Sequence, residues 1–243
     1  MYEKRNVDKS GSIIVKVCIF SIVISLTALL LCGLFKYLDR KNSPVWNSGI
    51  IPTVVIDAGH GGSDGGASSE SGLHEKDLNL YVALAVGNML KSSGFNVVYT
   101  RTSDEMLSLG ESGSKKMQDL KKRVMIAENE DNAIFVSIHM NKFSSPQYSG
   151  LQVFYSDGNS KSEAMARIVQ AKAKELLQKD NEREIKSAGS NIYILDKIKL
   201  PAVLIECGFL SNPDECAKLS TEEYKKEIAS VIYCSVIEFL ERI

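Results

Sequence analysis

The chain has 243 residues, a length that fits one or two domains. Hydrophobic residues make up 44% and charged residues 24% of the sequence, which is typical of a globular protein and excludes a disordered one. The formal net charge is −1, which argues against a nucleic-acid-binding protein because such proteins carry a surplus of basic residues.

The N-terminal part contains a long apolar run. Residues 17–35, VCIFSIVISLTALLLCGLF, include no charged side chain, and a helix of this length spans the core of a bilayer. We therefore predict a short N-terminal segment at 1–16, a transmembrane signal anchor at 17–35 and a polar linker at 36–49. A cleaved signal peptide is the alternative, but the run is long for one and no A-x-A-like cleavage site follows it.

The basic residues around this run indicate its orientation. Four precede the run and three follow it: Lys4, Arg5, Lys9 and Lys16, then Lys36, Arg40 and Lys41. The small excess on the N-terminal side favours a cytoplasmic N-terminus. The remainder of the chain is then extracytoplasmic and anchored to the membrane, or secreted if the anchor is cleaved.

From residue 50 onward, predicted strands alternate with predicted helices. The strands are 50–56, 95–100, 133–138, 151–155, 191–195 and 203–205. The helices are 75–92, 120–127, 161–178, a helix beginning at Pro213, and a last helix that follows a capping box formed by Ser220 and Glu223. The polar residues 103–119 are expected to form an exposed loop. This order predicts one α/β domain, residues 50–243, with helices on both faces of a sheet.

Three cysteines lie in this domain, Cys207, Cys216 and Cys234. No C-x-x-C spacing occurs, so a thiolate zinc site is not expected. We predict free, buried thiols.

Several polar residues follow predicted strands. His60 comes after the first strand, His139 ends the third, and Glu206 ends the last. Glu75 begins the first helix of the domain. Because functional groups gather at the carboxyl ends of parallel strands, we expect these residues to lie along one edge of the sheet.

Two imidazoles and one carboxylate suit a catalytic zinc, which takes three protein ligands and keeps one position open. His60, Glu75 and His139 are the candidate ligands. Six glycines between residues 59 and 72 allow close backbone approach. Asp57 is expected to orient a histidine ring, and Glu206 to act as the base for a water molecule. Each residue alone is more often structural, so the hypothesis depends on their combination.

Other site types fit less well. The glycine-rich segment lacks the lysine of a P-loop and does not match G-x-G-x-x-G. No G-x-S-x-G motif is present for a serine nucleophile.

Four segments, VVIDAGHGGSDGGA, HEKDLNL, FVSIHMN and PAVLIECGFLSNPDE, resemble in order and spacing the zinc-dependent N-acetylmuramoyl-L-alanine amidases of the amidase-3 type. The resemblance covers about residues 52–242. It implies a mixed, mostly parallel sheet similar to that of zinc peptidases, one zinc held by His60, Glu75 and His139, and Glu206 as the catalytic residue. Asn141 is a candidate for binding the peptide or sugar.

The resemblance also implies a substrate and a setting. The substrate would be bacterial peptidoglycan, cut between N-acetylmuramic acid and L-alanine, and the anchored single domain resembles the spore-cortex amidases. Regulation would fall to location or to an accessory activator protein. Two alternatives remain open: a zinc peptidase that cuts within the stem peptide, and a non-catalytic, membrane-anchored peptidoglycan-binding protein.

Overall fold

The computed structural model describes residues 4–42, 51–107 and 113–243. The chain divides into two compact units, Met1–Ser48 and Gly49–Ile243. The first unit contains helix α1, Lys4–Asn42. Within α1, Ile13–Leu31 is long and apolar enough to cross a membrane, and none of it is buried. This stretch overlaps the predicted span 17–35. Residues 36–42 of the predicted linker are helical, and 43–49 lie outside the described residues.

The second unit is built on a six-stranded mixed sheet. Its strands are β1 Thr53–Ala58, β2 Asn96–Tyr99, β3 Ala133–Asn141, β4 Gln152–Tyr155, β5 Lys186–Ser187 and β6 Ala202–Phe209. Their order is β2-β1-β3-β6-β4-β5. Only the β4–β6 pair is antiparallel. The carboxyl ends of β1, β3 and β6 therefore meet at one edge.

Helices cover both faces of this sheet. They are α2 Glu75–Ser92, α3 Lys115–Glu128, α4 Ser160–Leu176, α5 Tyr193–Lys197, α6 Pro213–Ser220 and α7 Glu222–Arg242. Helix α7 packs against α2 and α4, while α3 contacts α5. All six residues of β1 are buried, as expected for a strand covered on both sides. One core cluster joins Val55, Phe135 and Leu204 of the sheet to Ala127 of α3 and Ile194 of α5.

The predicted mixed, mostly parallel α/β fold is confirmed, but one predicted strand was wrong. Residues 191–195 are not a strand; they end a 3₁₀ turn, Gly189–Asn191, and enter helix α5. Ile194 and Leu195 are buried there, and a short apolar run does not distinguish a strand from a buried helical turn. The short strand β5 was not predicted.

The start of α7 also differs from the prediction. Thr221, rather than Ser220, is the N-cap, and its Oγ1 accepts a hydrogen bond from the Tyr224 backbone N–H at 3.3 Å. Ser220 instead ends α6 and donates to the Ala217 carbonyl. Asn212 caps α6 with Pro213 at its first position, as predicted.

The predicted loop 103–119 was placed too far along the chain at its end, because residues 115–119 belong to helix α3. Asp104 accepts hydrogen bonds from the Gly62 N–H at 2.8 Å and from Lys76 Nζ at 2.7 Å. These bonds hold the first part of the loop against the glycine-rich segment. Helix α3 begins at Lys115, and residues 108–112 lie outside the described residues.

Candidate metal centre

The structure brings His60, Glu75 and His139 together at the carboxyl edge of the sheet. One ligand-type atom from each lies within 4.8 Å of the others. Glu75 Oε1 is 2.9 Å from His139 Nδ1 and 3.3 Å from His60 Nε2. A tetrahedral zinc with bonds of about 2.0–2.1 Å needs ligand atoms roughly 3.3 Å apart, and the two carboxylate–imidazole distances lie near that value. The donor set also fits the ion in number and type.

Two glycines leave the space that this arrangement needs. A Cβ on Gly59 would lie 2.2 Å from His139 Nε2. A Cβ on Gly66, which has a φ of +65°, would lie 2.5 Å from Glu75 Oε2. The predicted role of the glycines in close approach therefore has a specific basis at these two positions.

Glu75 is held firmly at the start of α2. It is 4% exposed, its Oε2 accepts from the Ala67 N–H at 2.7 Å, and its Oε1 accepts from the Met140 N–H at 3.1 Å. Asn79, one turn along α2, donates to the same Oε1 at 3.3 Å. These donors fix the carboxylate before any ion binds.

The electrostatics of the cluster favour charged groups. Burial alone would raise the pKa of Glu75, but hydrogen bonds from His139 and His60 outweigh it and hold that pKa well below its usual range. Burial alone would lower the pKa of His60, but Glu75 and Asp64 outweigh it and raise that pKa. Strongly perturbed pKa values of this kind cluster at functional sites.

Glu206 lies beside this cluster in a different state. In the β3–β6 register it is paired with His139. Its Oε2 is buried and has no hydrogen-bond partner among the described residues. Burial, reinforced by the charge of Glu75 and opposed by the two histidines, raises the pKa of Glu206 to about 7. A carboxyl with such a pKa can both accept and donate a proton near neutral pH.

Asn141 ends β3 two residues after His139 and is half-buried. A register shift separates the two residues, and the Asn141 carbonyl accepts from the Leu210 N–H at 2.8 Å. Asn141 therefore lies at the same edge of the sheet as His139, and its backbone contacts the segment that follows Glu206.

The expectation that Asp57 orients a histidine ring was wrong. Fully buried Asp57 accepts hydrogen bonds from Arg123 Nη1, Thr100 Oγ1 and Ser137 Oγ, each at 2.6 Å. Its strand position pairs with Ser137 and turns it toward α3. Besides Glu75, the carboxylate that contacts a histidine ring is Asp64, whose Oδ2 is 3.0 Å from His60 Nδ1.

Sequence reasoning gave no role to three supporting residues: Asn79, Arg101 and Arg123. Asn79 lies four positions after Glu75 on one helix face, a spacing that could have indicated the contact. Arg101 and Arg123 both bind the backbone around His60. No local pattern indicates those contacts, because they depend on tertiary structure. The thiols of Cys207 and Cys216 are free and buried, as predicted; that of Cys234 is free and half-buried.

Residues 54–238 match the family model described as N-acetylmuramoyl-L-alanine amidase. The chain belongs to this amidase family. It is an enzyme of cell-wall or cortex remodelling, as the resemblance of its motifs implied.

Individual relatives agree with this assignment. The amidase is 34% identical over 218 residues to the germination-specific N-acetylmuramoyl-L-alanine amidase of Bacillus subtilis, covering 87% of this chain and 90% of the relative. It resembles the CwlD amidase of Clostridioides difficile, solved in complex with the GerS lipoprotein, with a TM-score of 0.75 and 38% identity over 79% of this chain and 100% of that one. AmiC2 of Nostoc punctiforme matches with a TM-score of 0.69 and 31% identity, covering 79% and 98% of the two chains.

Proposed function

We propose that this amidase hydrolyses the amide between N-acetylmuramic acid and L-alanine with one zinc held by His60, Glu75 and His139 and with Glu206 as its catalytic residue. The observation that carries the proposal is the unpartnered, buried Oε2 of Glu206 beside a cluster whose donors match zinc. A zinc bound there supplies Lewis-acid chemistry, which polarises a carbonyl and makes a water molecule acidic near neutral pH.

Glu206 handles the proton in this reaction. As a water molecule attacks the lactyl carbonyl, the free oxygen of Glu206 accepts its proton. Glu206 then donates that proton to the departing amine of L-alanine, so one carboxyl serves both steps. A pKa near 7 suits this exchange because neither form is strongly favoured. Asn141, at the same edge, is assigned to binding the peptide or sugar.

The location of the enzyme follows from its first unit. We assign Ile13–Leu31 of α1 to a membrane anchor and the catalytic unit to the extracytoplasmic side, where peptidoglycan lies. The germination-specific relative supports a role in the spore cortex. Because CwlD was solved with a lipoprotein, we also propose that an accessory protein of that kind activates this enzyme.

The decisive experiment identifies the products by mass spectrometry. The full chain in detergent is incubated with purified peptidoglycan and zinc. We expect intact stem peptides that begin at L-alanine, and a free lactyl carboxylate on the glycan. Fragments cut within the stem would instead indicate a peptidase.

Two variants give this experiment its controls. Glu206→Gln removes the proton-accepting oxygen and should slow peptide release by about 10²–10⁴-fold. Glu163→Gln changes an exposed carboxylate of α4 and should release peptides at the wild-type rate. Equal release by wild type and Glu206→Gln would contradict the role of Glu206. A wild type that binds zinc but releases nothing until the lipoprotein partner is added would support the activator.

A further inference from the structure

Arg101 is a buried cation whose donors all go to the backbone. It is 3% exposed. Its Nε donates to the Ala58 carbonyl at 2.9 Å and its Nη1 to the Ser103 carbonyl at 3.0 Å. Its Nη2 donates to the carbonyls of Gly59 at 3.0 Å and Lys76 at 2.8 Å. Among the described residues, only backbone carbonyls accept hydrogen bonds from the Arg101 guanidinium.

The two carbonyls that share Nη2 belong to neighbours of two metal-ligand candidates. Gly59 immediately precedes His60, and Lys76 immediately follows Glu75. A single nitrogen therefore joins the end of β1 to the first turn of α2, at the points where those ligands leave the backbone. The planar guanidinium sets the distance and direction between the two segments.

The backbone at His60 needs such support. His60 has a φ of +60°, a left-handed conformation that is costly for a residue with a side chain. The side chain at this position must also meet Glu75 Oε1 at 3.3 Å. Arg123 holds the other side of the turn, since its Nη2 donates to the His60 carbonyl at 2.6 Å. Of these two arginines, Arg101 is the one that also contacts α2, through the Lys76 carbonyl. Asn79 of α2 donates a second hydrogen bond to the Gly59 carbonyl at 3.1 Å, on the same side of the turn.

We propose that Arg101 is a positioning residue for metal binding, which holds His60 and Glu75 at the separation that the ion requires through the carbonyls of Gly59 and Lys76. The proposal rests on the proposed zinc site. It predicts that replacing Arg101 weakens metal affinity even in a protein that remains folded. Outer contacts of this kind typically change metal affinity by about 10–100-fold.

The test measures zinc affinity of the full chain in detergent by competition with a chromophoric chelator. Circular dichroism of the metal-free protein reports its folding separately. The first variant, Arg101→Gln, removes the guanidinium group. The second, Arg101→Lys, keeps the positive charge but presents one ammonium group in place of the planar guanidinium. Both should bind zinc about 10–100-fold more weakly than wild type.

Arg183→Gln is the matched control. Arg183 Nε also donates to a backbone carbonyl, that of Ser149 at 2.7 Å, but it contacts neither a ligand candidate nor the residues next to one. We expect this variant to keep wild-type zinc affinity. Equal weakening by Arg183→Gln and Arg101→Gln would show that any lost arginine loosens the site and would overturn the proposal.

The remaining outcomes are also decisive. Wild-type zinc affinity in a folded Arg101→Gln or Arg101→Lys variant would overturn the positioning role while leaving the zinc site intact. Failure of both variants to fold would assign Arg101 to fold stability instead. If wild type and His139→Ala bind zinc equally, the proposed metal site itself fails, and that result is distinct from the others.

Discussion

Two polar regions lie side by side behind the carboxyl edge of the sheet, and they are built on opposite principles. In the Asp57–Arg123 network the buried charges find full partners, because Arg123 pairs with Asp57 and Asp119 at 2.6 Å each. In the cluster of His60, Glu75, His139 and Glu206, a buried oxygen of Glu206 has no partner among the described residues. A satisfied network stabilises a fold, whereas unmet polar atoms in a cleft indicate a site where a ligand completes the bonding.

Removing the metal should have the largest effect on activity. Treatment with a chelator is expected to abolish peptide release, and added zinc to restore it, because the bound ion would supply the Lewis-acid chemistry of the reaction. With zinc at about 100 times its Kd, we expect the free energy of unfolding to exceed that of the metal-free protein by roughly 2.7 kcal/mol. Urea unfolding with and without zinc measures this. Activity that persists in excess chelator would show that the cluster of His60, Glu75 and His139 is not a catalytic metal site.

Replacing Glu206 should separate chemistry from stability. Glu206→Gln is expected to lower kcat by about 10²–10⁴-fold, the usual contribution of a general acid–base group. Zinc affinity and the melting temperature should stay at or above wild-type values, since no hydrogen bond to Oε2 is lost. Peptide release kinetics and calorimetry provide the two readouts. A large loss of stability would place Glu206 with the structural network instead.

Breaking the Asp57–Arg123 network should have the opposite pattern. Arg123→Met leaves Asp57 buried without its charge partner, and such a change costs about 3–5 kcal/mol of unfolding free energy. Urea unfolding of the metal-free protein checks this. Arg167→Met, which breaks an exposed ion pair with Glu163, is the control and should cost less than about 1 kcal/mol. Similar losses of unfolding free energy in both variants would show that the buried network stabilises the fold no more than an exposed ion pair does.

Acid should weaken the same network. Burial alone raises the pKa of Asp57, but Arg123, with hydrogen bonds from Ser137 and Thr100, outweighs it and lowers that pKa. A lowered folded-state pKa stabilises the protein above the unfolded value of about 3.9 and loses that contribution as pH falls through the folded value. We therefore expect the metal-free wild type to lose stability below pH 4 more steeply than Asp57→Asn. Parallel curves in urea titrations across this range would contradict the prediction.

The N-cap of helix α7 belongs to neither region, and its removal should have the smallest effect on stability. Thr221→Ala removes the side chain that accepts from the Tyr224 N–H and should cost about 1 kcal/mol. Ser220→Ala should cost less, because Ser220 is not the N-cap of α7. Thermal unfolding of the two variants distinguishes them. A larger loss of stability in Ser220→Ala than in Thr221→Ala would support Ser220 as the N-cap, as the sequence pattern predicted.

The sequence correctly predicted the long helix α2 and the placement of the candidate functional residues at the ends of strands. The apolar stripe of 75–92 predicted α2 to the residue, since side-chain periodicity is a local property of a long helix. His60, His139 and Glu206 were placed on one edge by the rule for parallel strands, and they lie there. The prediction of a strand at 191–195 was wrong because five residues show too little periodicity to distinguish a strand from a helix.

The sequence by itself determined the α/β class, the family, the apolar segment near the N-terminus and which residues meet at the candidate metal centre. Only the tertiary structure decided what surrounds them. It paired Asp57 with Arg123 rather than with a histidine, placed Asp64 against His60, and brought Arg101 to the carbonyls beside two ligand candidates. The physical reason is that periodicity and motif spacing are local, whereas the partner of a buried polar group depends on which distant segments pack against it.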